Sequence, residues 1–66
     1  MRLKINGEPK DVAGVSTLAD LVVHLAMKGD RVAIELNREI VPRTNWEATA
    51  LKDGDELEIV HFVGGG

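Results

Sequence analysis

The 66-residue chain predicts an α+β roll, a mixed sheet of four to five strands covered by one main helix. Three observations carry that expectation. Apolar and polar residues alternate near both ends, Leu3 and Ile5 against Arg2 and Lys4, and Leu57 and Ile59 against Glu58, which is the period of half-buried strands. A single clear stretch, Leu18, Leu21, Val22 and Leu25, has apolar residues at i, i+3, i+4 and i+7, the stripe of an amphipathic helix. That helix falls between the second and third strands, so it is a crossover that permits parallel pairing somewhere in the sheet.

Arg2-Leu3-Lys4-Ile5 is the first strand, and Asn6-Gly7-Glu8-Pro9 turns the chain, Asn-Gly being among the strongest short hairpin signals. A weaker second strand runs through Lys10-Asp11-Val12-Ala13 until Gly14 breaks it. Thr17 is the helix N-cap, with Asp20 three residues on completing a capping-box-like arrangement and complementing the helix dipole. Gly29 is the expected C′ stop, giving about three turns. Val32 to Leu36 is the third strand, with Val32, Ile34 and Leu36 facing inward. Asn37-Arg38 turns into Glu39-Ile40-Val41, a short fourth strand that Pro42 marks as an edge. Arg43 to Leu51 is irregular, with room for a helical turn, and Lys52-Asp53-Gly54-Asp55 is a turn by composition. The fifth strand follows and runs into Gly64-Gly65-Gly66.

A chain this short is one domain and must be stabilised by a compact aliphatic core, because it has no cysteine and hence neither disulfides nor thiolate metal sites. The net charge of −3 argues against nucleic acid as a partner, and Trp46 and Phe62 are too few aromatics for a base-stacking platform. No segment approaches the roughly 18 apolar residues of a membrane span, and the N-terminal alternation of charge and apolar residues does not read as a signal peptide. The expected setting is the cytoplasm.

Several polar residues have plain structural readings. His24 and His61 are the two histidines and lack companion ligands for a metal. Ser16 and Thr17 belong to the helix start, with no nucleophilic triad in view. Asp53-Gly54-Asp55-Glu56 lacks the spacing of an EF-hand, and Trp46 reads as a lid on a small core. No catalytic or metal-binding residue is assigned. What stands out is the glycine tail. A strand that ends in side-chain-free residues presents the α-carboxylate of Gly66 as the candidate working group. From Val63 to Gly66 the extended chain reaches roughly 13 Å, enough to thread into a partner's active site. Glycine, lacking a Cβ, passes narrow channels, at an ordering cost of about 1–2 kcal/mol per residue that a docking surface has to offset. Strand alternation places Leu57, Ile59 and His61 on one face and Glu58, Val60 and Phe62 on the other. Val60 and Phe62 are therefore the expected apolar docking patch beside the tail. Arg2 and Lys4 are expected to share that outer face with Glu56 and Glu58 as a charge match.

Asn6-Gly7-Glu8-Pro9, Thr17-Leu18-Ala19-Asp20-Leu21, Val32-Ala33-Ile34-Glu35-Leu36-Asn37, Ile40-Val41-Pro42-Arg43, Trp46, Leu51-Lys52-Asp53-Gly54-Asp55 and Gly65-Gly66 occur in one order and spacing. Together they resemble the ThiS/MoaD family of ubiquitin-like β-grasp sulfur carriers, and within it the thiamin branch. Arg38 departs from the glycine that many members have after the asparagine. The resemblance implies a β-grasp domain over residues 1–63 and a flexible glycine tail over 64–66. It implies a carrier, not an enzyme, with no bound cofactor. An E1-like adenylating partner (ThiF-like) would use ATP to activate the Gly66 carboxylate, a sulfur-relay protein would help convert it to a thiocarboxylate, and a thiazole synthase (ThiG-like) would consume it. Alternatives that share the terminus are a carrier serving molybdopterin or cysteine synthesis and a ubiquitin-like protein modifier.

Overall fold

In the computed structural model, which describes residues 1–62, five strands form one sheet. They are β1 (Arg2–Ile5), β2 (Glu8–Asp11), β3 (Val32–Leu36), β4 (Glu39–Ile40) and β5 (Glu56–His61), and the helix is α1 (Leu18–His24). The strand order is β2-β1-β5-β3-β4. β5 is thus central, parallel to β1 and antiparallel to β3. The crossover through α1 makes that parallel pairing possible, as the sequence leads one to expect. One sheet face and α1 enclose the core, in which Leu3, Leu18, Leu21, Ile34 and Leu57 are the largest fully buried side chains. No helix among the described residues is long and apolar enough to cross a membrane.

Both hairpins are built on residue pairs with positive φ, Asn6 (51°) with Gly7 (83°) and Asn37 (50°) with Arg38 (73°). That is the signature of a type I′ turn, whose twist matches the flanking strands. The first turn is tighter than the sequence reading had it. Ile5 is already paired with Glu8, so β2 starts at Glu8, not Lys10, and includes Pro9. β2 is a sheet edge, where the missing proline N–H costs no ladder bond.

The helix start agrees with its sequence signature. Thr17 Oγ1 accepts from the Asp20 N–H at 3.2 Å, and the Asp20 carboxylate accepts from the Ser16 and Thr17 N–H groups at 3.0 Å each. These backbone donors, Ser16 foremost, hold the Asp20 carboxyl below the ordinary carboxylate range. Its folded pKa being depressed, the contribution is complete above the unfolded value and is lost as pH falls through the folded one. Asp20→Asn is expected to flatten that part of the acid limb in a series of thermal melts.

The helix end differs from expectation. The Met27 N–H donates to Val22 O and the Ala26 N–H to Val23 O, a Schellman motif with Ala26, not Gly29, at C′ and φ 57°. The helix is consequently seven residues, about two turns. Gly29 has another role: a Cβ there would lie 3.2 Å from Trp46 Cζ3, so its bareness lets the indole close over the chain. Trp46 is buried in the 3-10 segment Arg43–Ala48 and donates from Nε1 to Val41 O at 2.9 Å. Ala26 and Arg38 hold left-handed backbone that suits glycine better. Ala26→Gly and Arg38→Gly are each expected to raise stability by roughly 0.5–1 kcal/mol, read as a higher urea midpoint with unchanged slope.

Candidate functional site

Two asparagines hold β5, the strand that precedes the glycines in sequence, from either side. On the β1 flank, the Asn6 N–H donates to Leu57 O at 2.9 Å. Its side chain continues the ladder, Oδ1 accepting the Ile59 N–H at 2.7 Å and Nδ2 donating to Ile59 O at 3.1 Å. On the β3 flank, the Asn37 N–H donates to Glu56 O at 2.8 Å and its Oδ1 accepts the Glu56 N–H at 3.0 Å. Asn37 Nδ2 donates to Asp55 Oδ1 at 3.1 Å, while Asp55 Oδ2 accepts the Lys52 N–H at 2.8 Å. Asp55, only 6% exposed, is therefore a satisfied buried carboxylate that closes the turn before β5. The sequence shows Asn6, Asn37 and Asp55 as turn residues; the bonds of Asn6 and Asn37 to β5 link positions up to 53 residues apart, which local chemistry does not reveal.

β5 alternates as expected. Leu57 and Ile59 are buried, whereas Val60 is 58% and Phe62 53% exposed. Val60 stands opposite Ala33 in the β3 register. The two residues of the expected docking patch thus lie on the solvent side. His61, on the side of Leu57 and Ile59, is exposed and not part of the core.

The outer-face charges are arranged differently from the expected match. Arg2 pairs with Asp11 across the β1–β2 hairpin at 3.2 Å, and this guanidinium holds the Asp11 carboxyl below its ordinary range. Lys4 lies beside Glu56 in the register, but Glu58 stands opposite Glu35. The parallel register of β1 against β5 sets Lys4 beside Glu56 and leaves Arg2 nearer Asp11 than either glutamate.

Val63, Gly64, Gly65 and Gly66 lie outside the described residues, as does the boundary drawn between domain and tail. Among the described residues, no group of three or more His, Cys, Asp or Glu side chains is arranged to hold a metal ion. What these residues place together is a rigidly registered central strand, an apolar pair on its open face, and the approach to the glycines.

Comparison with known proteins adds the family context. A family model described as the ThiS family matches residues 3–66. The chain is 44% identical over its whole length to part of a thiazole synthase of Paramagnetospirillum magneticum, and spans 20% of that relative. It thus spans about a fifth of the length of this thiazole synthase and of that of Magnetococcus marinus. It is 39% identical to the sulfur carrier protein ThiS of Bacillus subtilis, over 97% of this chain and 98% of that one. A crystal structure of the thiamine biosynthesis protein ThiS from Geobacter metallireducens superposes with a TM-score of 0.83 at 38% identity, covering both chains completely.

Proposed function

The chain belongs to the ThiS family, and from that premise we propose that it is a sulfur carrier of thiamin biosynthesis whose cargo is held on the Gly66 carboxylate. The observation that carries this reading is the match of 97% of this chain to 98% of a sulfur carrier protein. The fold supports it, since the central strand is the one that precedes the glycines in sequence, and Val60 and Phe62 are exposed at its end.

A carboxylate is a poor electrophile: its charge repels nucleophiles and its leaving group would be oxide. An E1-like adenylating enzyme overcomes both obstacles. A carboxylate oxygen attacks the α-phosphorus of ATP, pyrophosphate leaves, and the resulting acyl-adenylate is neutral at carbon. A persulfide carried by a relay protein then attacks the carbonyl carbon and AMP departs, giving an acyl disulfide; a thiol attacks the relay's own sulfur, forming a disulfide with it and releasing the thiocarboxylate for a thiazole synthase to consume. In this scheme the chain contributes no catalytic group. It supplies a slender terminus and a docking face, Val60 with Phe62, that compensates for ordering the tail. The matches to thiazole synthases favour the thiazole branch over molybdopterin or cysteine synthesis.

The test is the intact mass of the protein isolated from its own cells. The expected result is the gain of one oxygen exchanged for sulfur, mapped to Gly66. A conjugate through an isopeptide bond to lysine would instead indicate a protein modifier. Residues continuing past Gly66 without that exchange would make the carboxylate an internal amide and overturn the proposal.

A further inference from the structure

β5 has six residues, whereas its parallel neighbour β1 has four, and the sheet is therefore uneven at the end nearest the tail. Backbone groups along β5 alternate between its two flanks. Even-numbered residues face β3, as Phe62 donating to Arg31 O and Glu56 accepting from Asn37 show, both at 2.8 Å. Odd-numbered residues face β1: Asp55 O accepts from Lys4 at 3.0 Å and Leu57 O from Asn6 at 2.9 Å. At Ile59 the β1 strand has already ended, and the Asn6 side chain substitutes for it with two hydrogen bonds. The next rung on this flank is His61. Gly7 has by then turned into β2, and among the described residues nothing pairs with the His61 N–H or C=O.

An unpaired strand rung is a template for another strand. Resting on the carrier reading above, we infer that the His61 rung of β5 is a strand-addition site, where an extended segment of the adenylating partner pairs with the His61 N–H and C=O. Asn6 fixes the register by occupying the rung before it, so an added strand cannot extend back past Ile59. A strand placed there projects alternate side chains onto the outer face beside Val60 and Phe62, which calls for an apolar residue in the added segment. Backbone pairing and the apolar patch then form one continuous surface. A second copy of this chain fits less well. Antiparallel pairing of two β5 strands centred on His61 would bring each strand against the Ile59 rung of the other, which Asn6 already fills.

The experiment uses the full chain, made by chemical ligation with N-methyl-His61, and the E1-like adenylating enzyme of the same cells. N-methylation removes one donor from the β1 flank and leaves the β3 ladder intact. The expected result is an unchanged melting transition and binding weakened about three- to tenfold. His61→Ala, which keeps the N–H, is expected to bind within twofold of the unmodified chain. Hydrogen exchange on the unmodified chain supplies a readout independent of how the modified one folds: the His61 amide should be unprotected when free and protected in the complex. Undiminished binding of the N-methyl chain, or an unprotected His61 amide in the complex, overturns this inference alone. Protection that rises with concentration in the free protein assigns the rung to a second copy and also overturns it. If the enzyme does not bind even the unmodified chain, the carrier reading falls and this inference with it.

Discussion

Deletion of Gly65 and Gly66 is expected to abolish activation by the adenylating partner while leaving the melting transition of the roll unchanged. Two extended residues span roughly 7 Å, so the truncated carboxylate stops that far short of the position at which ATP is attacked. Misplacement by a single ångström can cost on the order of 100-fold in rate, and this displacement is several times larger. β5 cannot pay out extra length to make up the difference, because Asn6 and Asn37 hold it on both flanks. ATP–pyrophosphate exchange measures the activation step directly, and a thermal melt reports the fold. A truncated chain that still supports exchange would show that some other group carries the cargo. Adding residues after Gly66 is expected to have the same consequence as removing the glycines, since it converts the carboxylate to an amide.

That expectation comes from the sequence alone, since the glycines lie outside the described residues. The strands were legible where one face is buried: the alternation in Arg2–Ile5, Val32–Leu36 and Glu56–His61 survives into the sheet because each strand packs Leu, Ile or Val on one side only. The capping box at Thr17 and Asp20 is local chemistry and forms as the residues suggest. The helix end was less legible. A glycine normally marks C′, but here Ala26 takes the left-handed position and Gly29 is reserved for contact with Trp46, a partner 17 residues away. Long-range polar bonds were hidden for the same reason. Nothing adjacent to Asn6 says that its amide will replace a missing rung of β1, because the mismatch in strand lengths exists only once the sheet is assembled. The charge match holds in part, Lys4 lying beside Glu56 while Arg2 pairs with Asp11, since alternation gives the face of a residue but not its offset along a parallel neighbour.

The strongest test of the site comes from contrasting the two faces of β5. Leu57 is 2% exposed and packed in the core beneath α1, so Leu57→Ala is expected to cost about 2–5 kcal/mol through lost burial and the cavity it leaves. A single core of this size supplies only about 3–5 kcal/mol in all, so the variant should be largely unfolded near physiological temperature by circular dichroism. Phe62 lies five residues further on, on the opposite face, where surface substitutions usually change stability by no more than about 0.5 kcal/mol. Phe62→Asp is therefore expected to leave the melt nearly unchanged. Its effect should appear in binding to the adenylating partner, weakened about tenfold or more by the loss of apolar contact and the cost of burying a new charge. Val60→Ala should lower affinity in the same direction by less, since it removes less apolar surface. Calorimetric titration of the partner with each folded variant separates the two effects. If Phe62→Asp unfolds the domain, the residue belongs to the scaffold and the docking face lies elsewhere. If it folds and binds as tightly as the parent, the ordering cost of the glycines must be met by contacts to the tail alone.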